Sequence, residues 1–189
     1  MILDFSTLDE AQRYKTMSNT IFPRPIAWIT SEDEGVVNLA PFSYFAPLSS
    51  EPAFVIVSIG HKENGVPKDT LANILKNKVC TINLAHKELM GDLKNSAEAL
   101  PKEISECEKF NIETTKMLDD FPPMVKDAKC ALFCEFVKMV EIGSRFEPLI
   151  LEVKQVYIDD QNVDEKGHIH LENIGRVGIE FLVDSTRIR

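Results

Sequence analysis

Lys68-Asp69-Thr70 opens a run in which Leu71, Ile74 and Leu75 repeat at helical spacing, so a helix start there would set orphan backbone N–H groups beside an ammonium and a hydroxyl. Ser58, at the end of the apolar run Ala53 to Ile59, adds a second hydroxyl. Donors of this kind, gathered at a helix N-terminus, are chemistry for a phosphate dianion. Asp69 or Thr70 can also cap the helix, and an ordinary capped helix with a solvated lysine uses the same residues.

A second group lies upstream. Asn38-Leu39-Ala40-Pro41-Phe42-Ser43-Tyr44-Phe45-Ala46-Pro47 follows an apolar strand with a polar amide, two prolines that limit backbone freedom, and aromatic and hydroxyl side chains. Main-chain amides held in a fixed turn lose little entropy on binding. With Asn38 they could satisfy the acceptors of a heteroaromatic ring, while Phe42, Tyr44 or Phe45 supplies apolar area. On residue type alone, the aromatics also suit a barrel core and the prolines a plain turn. Both groups together describe a ligand with a flat polar ring at one end and a phosphate at the other. The chain has neither a Gly-x-Gly-x-x-Gly nor a Gly-Lys-Ser/Thr loop. Flavin mononucleotide (FMN) satisfies both halves.

Three blocks, Pro23-Arg24-Pro25-Ile26-Ala27-Trp28, Asn38 to Phe45, and Lys68-Asp69-Thr70-Leu71-Ala72-Asn73-Ile74, closely resemble the flavin reductase-like family of FMN-binding split barrels in order and spacing. Val79 to Leu84, Phe121-Pro122-Pro123, the strand pair after Cys130 and Gly175-Arg176-Val177-Gly178 resemble that family's later segments. The resemblance implies a mainly β fold with flanking helices: a six-stranded antiparallel Greek-key split barrel, usually a homodimer with FMN near the subunit interface. It implies that Ser58, Lys68 and Thr70 hold the phosphate and that Asn38, Ala40, Pro41, Phe42, Ser43, Tyr44 and Phe45 line the ring. Thr30, Ile59, Asp69, Asn73 and Arg176 complete the cofactor-binding set, with no catalytic side chain and no metal.

The elements that must position these residues are legible in outline. Ile26 to Thr30 and Val36 to Leu39 read as a hairpin across a polar turn, Ala53 to Ile59 as a third strand, and Val79 to Leu84 as a fourth. Residues 130–142 and 149–158 read as a long pair, and residues 179–183 as a possible last strand. Residues 1–22 read as an N-terminal arm with a short amphipathic piece, His86 to Leu100 as a helix ended by Pro101, residues 102–125 as an excursion over the surface, and Asp184 to Arg189 as a tail that could cover a neighbouring subunit.

Composition bounds the class. The 189 residues suffice for one domain with a real core, and 44% hydrophobic and 27% charged residues are ordinary for a folded soluble protein. A net charge of −9 with scattered basic residues argues against nucleic acid. No apolar run approaches the about 20 residues needed to span a bilayer, and no secretion signal opens the chain, so a cytoplasmic protein is expected. Cys80, Cys107, Cys130 and Cys134 show no zinc-like spacing and read as buried reduced thiols.

Other residues carry weaker signals. Arg176, between two glycines, could reach an anionic substrate, the flavin or an ion-pair partner. His168 and His170 share one side of an extended segment, with no third metal ligand nearby in sequence. His61 could touch the ring or a nicotinamide, His86 reads as a helix-start residue, and Trp28 as core or dimer packing. The leading functional expectation is an NAD(P)H:flavin reductase, with the nicotinamide bound transiently and its hydride passed to flavin N5. The alternative is a flavoredoxin-like carrier that keeps FMN and exchanges electrons with a redox partner protein. A split barrel holding haem or a pyridoxal phosphate-type ligand is the third.

Overall fold

The computed structural model describes residues 1–183. The expectation for Asp184 to Arg189 lies outside the described residues. The chain opens with α1 (Glu10–Thr20), whose start is fixed by a capping box between Asp9 and Gln12. There follow β1 (Arg24–Pro25), β2 (Ala27–Asp33), β3 (Val36–Phe42), β4 (Phe45–Ser50) and β5 (Ala53–Gly60). Next come α2 (Asp69–Asn77), β6 (Val79–Asn83), α3 (Met90–Asn95), α4 (Glu106–Lys109), β7 (Thr114–Thr115) and β8 (Met124–Val125). The long strands β9 (Cys130–Met139) and β10 (Phe146–Ile158) precede the short β11 (Gly175–Val177) and β12 (Glu180–Leu182).

The main sheet is antiparallel, in the order β3-β2-β6-β9-β10-β5-β4. Its two outermost strands, β3 and β4, are consecutive in the chain and separated only by Ser43 and Tyr44. Two residues cannot bridge a flat seven-stranded sheet, because neighbouring strands lie about 4.8 Å apart. The sheet must therefore curl until its ends meet, which makes it a barrel with a seam at Ser43-Tyr44. The Ser58 N–H donates to the Tyr44 carbonyl at 2.9 Å and ties that corner to β5. The expected six strands become seven because the stretch read as a ring-binding loop is mostly strand, with β3 running to Phe42 and β4 resuming at Phe45. The Pro41 and Pro47 signals suggested a loop, but sheet edges accept proline.

Every residue of β2 but one is buried, and its sides serve two cores. Ile26, just before the strand, and Trp28 join one cluster with Leu39, Phe133, Phe121 and Met124. Ala27 and Ile29 join another with Val57, Ile59, Leu71, Ile74, Leu149 and Leu151. This is the period-two alternation of a strand covered on both faces. Segment 102–125 contributes Cys107, Ile112, Phe121, Met124 and Val125 to the first cluster, so it is a packed cap on the barrel and not only a surface excursion. The Trp28 indole donates to Ser96 Oγ at 2.8 Å. Ser96 caps the end of α3, and the helix expected over His86 to Leu100 is instead a 3₁₀ turn, Lys87–Leu89, followed by α3.

The last strands form a separate three-stranded sheet, β1-β11-β12, that returns the C-terminal segment to the N-terminal one. Among the described residues, no helix is long and apolar enough to cross a membrane. All four cysteines are free and buried. Burial holds the Cys107 and Cys130 thiols up at about 11, and the Cys134 thiol is raised by its hydrogen bond to Cys80 and by burial.

Candidate functional site

A groove runs along the barrel seam. Its larger part is a cavity of about 860 Å³ walled by Pro41, Phe42, Ser43 and Tyr44 from the β3–β4 corner, by Ser58, Gly60 and Lys68, by α1, and by Ser144, Arg145 and Phe146. Strand alternation explains the β5 contribution: Ser58 and Gly60 face the cavity while Val57 and Ile59 face the core. Ile59 is therefore fully buried. Phe45, also in the predicted set, is a core residue, and Ala40 packs against the same cluster.

At one end of this cavity stands Lys68, the N-cap residue of α2, whose side chain makes no capping bond. Neither expected cap operates, since Asp69 is engaged by Lys62 at 2.9 Å and Thr70 Oγ1 accepts from Asn38 Nδ2 at 2.9 Å. The helix start thus keeps first-turn N–H groups without a side-chain acceptor. The Lys68 ammonium lies 5.8 Å from the Phe42 ring centroid, and no carboxylate among the described residues pairs with it. Ser58 and Lys68 share the cavity, whereas Thr70 is 1% exposed beneath it.

Asn38, Asp69 and Asn73 line a smaller recess of about 210 Å³ on the neighbouring side of α2, together with Asp33 and Lys102. Asn73 Nδ2 donates to Ser31 Oγ at 3.2 Å, and its buried Oδ1 has no partner among the described residues. The Lys102 and Lys76 ammoniums hold the Asp33 carboxyl below its usual range. Thr30 is fully buried in β2, with its hydroxyl donating to the Thr81 carbonyl at 3.2 Å.

Sequence reasoning missed the contribution of α1. Glu10, Arg13, Tyr14 and Met17 line the cavity, at the i, i+3, i+4, i+7 spacing of one helical face. That spacing was the available signal, obscured because the face mixes charged, aromatic and thioether side chains. Tyr14 meets Tyr44 edge to face with centroids 6.2 Å apart, and the Gly178 N–H donates to the Ser18 carbonyl at 2.8 Å. Arg145, bonded to Glu10 at 2.7 Å, ties the β9–β10 hairpin to the same helix. Phe146 stacks on Gly60, where an added Cβ would come within 2.6 Å of the ring. Burial raises the Tyr44 phenol, against the pull of Arg24, so it is a protonated donor at neutral pH.

A second, smaller cavity of about 400 Å³ shares Tyr14, Pro41 and Ser43 with the first and is walled by Lys94, Arg176 and Phe181. Arg176 therefore lies on the opposite side of the Ser43 corner from Lys68. All four histidines have local partners. His61 Nδ1 sits 3.0 Å from the Arg145 carbonyl, His86 bridges Glu88 and the Asp127 carbonyl, and His168 and His170 both contact Asp164.

Comparison with known proteins agrees with this architecture. Residues 17–175 match the flavin reductase like domain, and the chain belongs to that family. It resembles nitrilotriacetate monooxygenase component B from Bacillus cereus, at 25% identity and a TM-score of 0.93 over 100% of this chain and 98% of that one. It resembles the 2-nitrobenzoate 2-nitroreductase of Pseudomonas fluorescens at 25% identity and a TM-score of 0.90, over 100% of this chain and 94% of the other. An uncharacterized protein of Deinococcus radiodurans is 32% identical over 93% of this chain and 81% of its own length.

Proposed function

We propose that the protein is a flavin-dependent oxidoreductase that binds FMN in the large cavity and accepts electrons from a reduced nicotinamide. The observation that carries this reading is the uncapped α2 start with a Lys68 that has no carboxylate partner among the described residues, sharing one cavity with Ser58 and the Pro41–Tyr44 corner. A donor set of ammonium, hydroxyl and free helical amides fits a phosphate, and the volume lies within the range of small-molecule sites, roughly 300–1,000 Å³. When bound, FMN supplies the ring that takes a hydride at N5 and passes electrons onward. Lys68 and the α2 amides would neutralise the phosphate. Phe42 and Tyr44 would give the ring apolar area, and the main chain of the Ser43 corner would donate to its polar edge. The protein's part is position and electrostatics, with no side-chain acid or base needed.

The resemblance to homodimeric family members supports a second copy packing beside the groove, a reading that the exposed Tyr14, Met17, Ile21 and Phe22 suit. An absorption scan of freshly purified protein, followed by NADH oxidation with and without added free FMN, tests the function. Flavin bands together with steady turnover support the reductase. A yellow protein that stays reduced until a redox protein is added supports the electron carrier, and a Soret band or a pyridoxal-type spectrum excludes both.

A further inference from the structure

The smaller cavity is bordered by a concentration of positive charge that the fold does not compensate. Arg24 and Arg176 are direct register partners on β1 and β11, an arrangement in which like charges destabilise a strand pair. Their guanidiniums converge on one acceptor: Arg24 Nη2 donates to the Gly178 carbonyl at 3.2 Å and Arg176 Nε to the same oxygen at 3.3 Å. Arg24 is 4% exposed, bonds Ser43 Oγ at 2.6 Å, and leaves its Nε without a partner. Lys94 joins them, and it and Arg176 lie 5.3 and 4.3 Å from the Phe181 ring centroid. Among the described residues none of the three cations has a carboxylate partner, in a protein of net charge −9.

Resting on the flavin reading above, we propose that this cavity is the subsite for the pyrophosphate of the reduced nicotinamide dinucleotide, held by Arg176 and Lys94 over Phe181 with Arg24 as a buried fixed charge behind Ser43. Three features support that occupant. The cavity shares the wall residues Tyr14, Pro41 and Ser43 with the flavin cavity, so a molecule anchored here lies directly beside it. Its volume of about 400 Å³ exceeds what a lone carboxylate fills. A planar guanidinium beside an ammonium suits a doubly charged diphosphate. The two cation groups then divide the labour, Lys68 for the cofactor's phosphate and Arg176 with Lys94 for the co-substrate's, Arg24 standing behind them.

The test uses the full chain and the variants Lys94→Ala, Lys94→Ala/Arg176→Ala and Arg176→Lys. Calorimetry with inorganic pyrophosphate needs no flavin and reads the subsite alone. The double variant should bind pyrophosphate at least about tenfold more weakly, the effect of losing one charge-assisted contact, with Arg176→Lys intermediate. In the flavin-loaded protein, the ratio of the KM for NADH to that for 1-benzyl-1,4-dihydronicotinamide, which carries no phosphate, should rise about tenfold in parallel. Unchanged pyrophosphate binding in the folded double variant overturns the proposal. So does a selective loss of benzoate binding, which would make the site one for a carboxylate acceptor, or an equal loss of FMN affinity, which would move the residues into the flavin site. If the double variant does not fold, Lys94→Ala alone, at an exposed helix position, must show at least a threefold loss or the proposal fails. Failure of the parent protein to bind added FMN would defeat the functional reading while leaving the pyrophosphate measurement intact.

Discussion

The two ends of the seam groove hold positive charge in different ways. At the α2 end, Lys68, Ser58 and the helix start come from a short stretch of chain, and the cation is partly exposed at a helix terminus that welcomes an anion by its own dipole. At the other end, Arg24 and Arg176 come from opposite halves of the sequence, meet as strand partners, and are held by the carbonyl of Gly178, whose φ is +51°. The first end needs only that α2 packs beside β5. The second exists only when the N- and C-terminal segments have paired, so it depends on the whole fold.

The contrast can be broken first at Lys68. Lys68→Ala should weaken FMN binding about 10- to 100-fold while leaving riboflavin, which lacks the phosphate, within about twofold; fluorescence titration of both ligands measures it. Equal losses would remove Lys68 from the phosphate. Gly178→Ala attacks the other end. Its φ of +51° and the Asn19 Oδ1 atom 2.6 Å from an added Cβ both oppose a side chain. A destabilisation of about 1–2 kcal/mol is expected, read as a lower Tm, with α1 amides exchanging faster. Full stability with unchanged exchange would show that the C-terminal sheet does not anchor α1.

Smaller effects sharpen the same comparison. Asn38→Ala removes the bond that occupies the Thr70 hydroxyl, so it should alter FMN and riboflavin affinity by only about threefold, or shift the flavin's reduction potential slightly. A tenfold loss for both would put Asn38 on the ring after all. Glu106, buried in the cap, accepts the Leu39 N–H at 2.9 Å, and desolvation raises its carboxyl above the usual range. A raised acid favours folding while protonated, and its benefit is lost as pH climbs through the folded-state value. Glu106→Gln, which keeps an acceptor for Leu39, should therefore match the parent near pH 4 and exceed it at pH 8. Thermal melts at both pH values check the sign, and a variant less stable at pH 8 would contradict it.

The sequence disclosed what is local and concealed what is not. Helix α2, the strands at 53–60, 130–139 and 146–158, and the Ser58–Lys68 pair follow from periodicity and residue type over short spans. The stretch from Asn38 to Pro47 reads as loop because prolines speak locally, while the pairing of β3 with β2 and of β4 with β5 is settled by tertiary contacts. Thr30, Phe45 and Ile59 illustrate the same limit, since a one-residue step along a strand decides between core and groove. The face of α1 was invisible for another reason. It packs over a cavity and not into an apolar core, so its lining residues need not be hydrophobic. The pairing of Arg24 with Arg176 carries no local signature at all.

The central claim is that one groove grips the nucleotide's phosphate at its α2 end while presenting the Ser43 corner to the ring. Parallel equilibrium titrations of the unmodified protein with FMN and with riboflavin test it most directly. FMN should bind at least about tenfold more tightly, and the preference should fade in high salt as screening weakens the Lys68 contact. Equal affinity for the two ligands, insensitive to salt, would contradict the account.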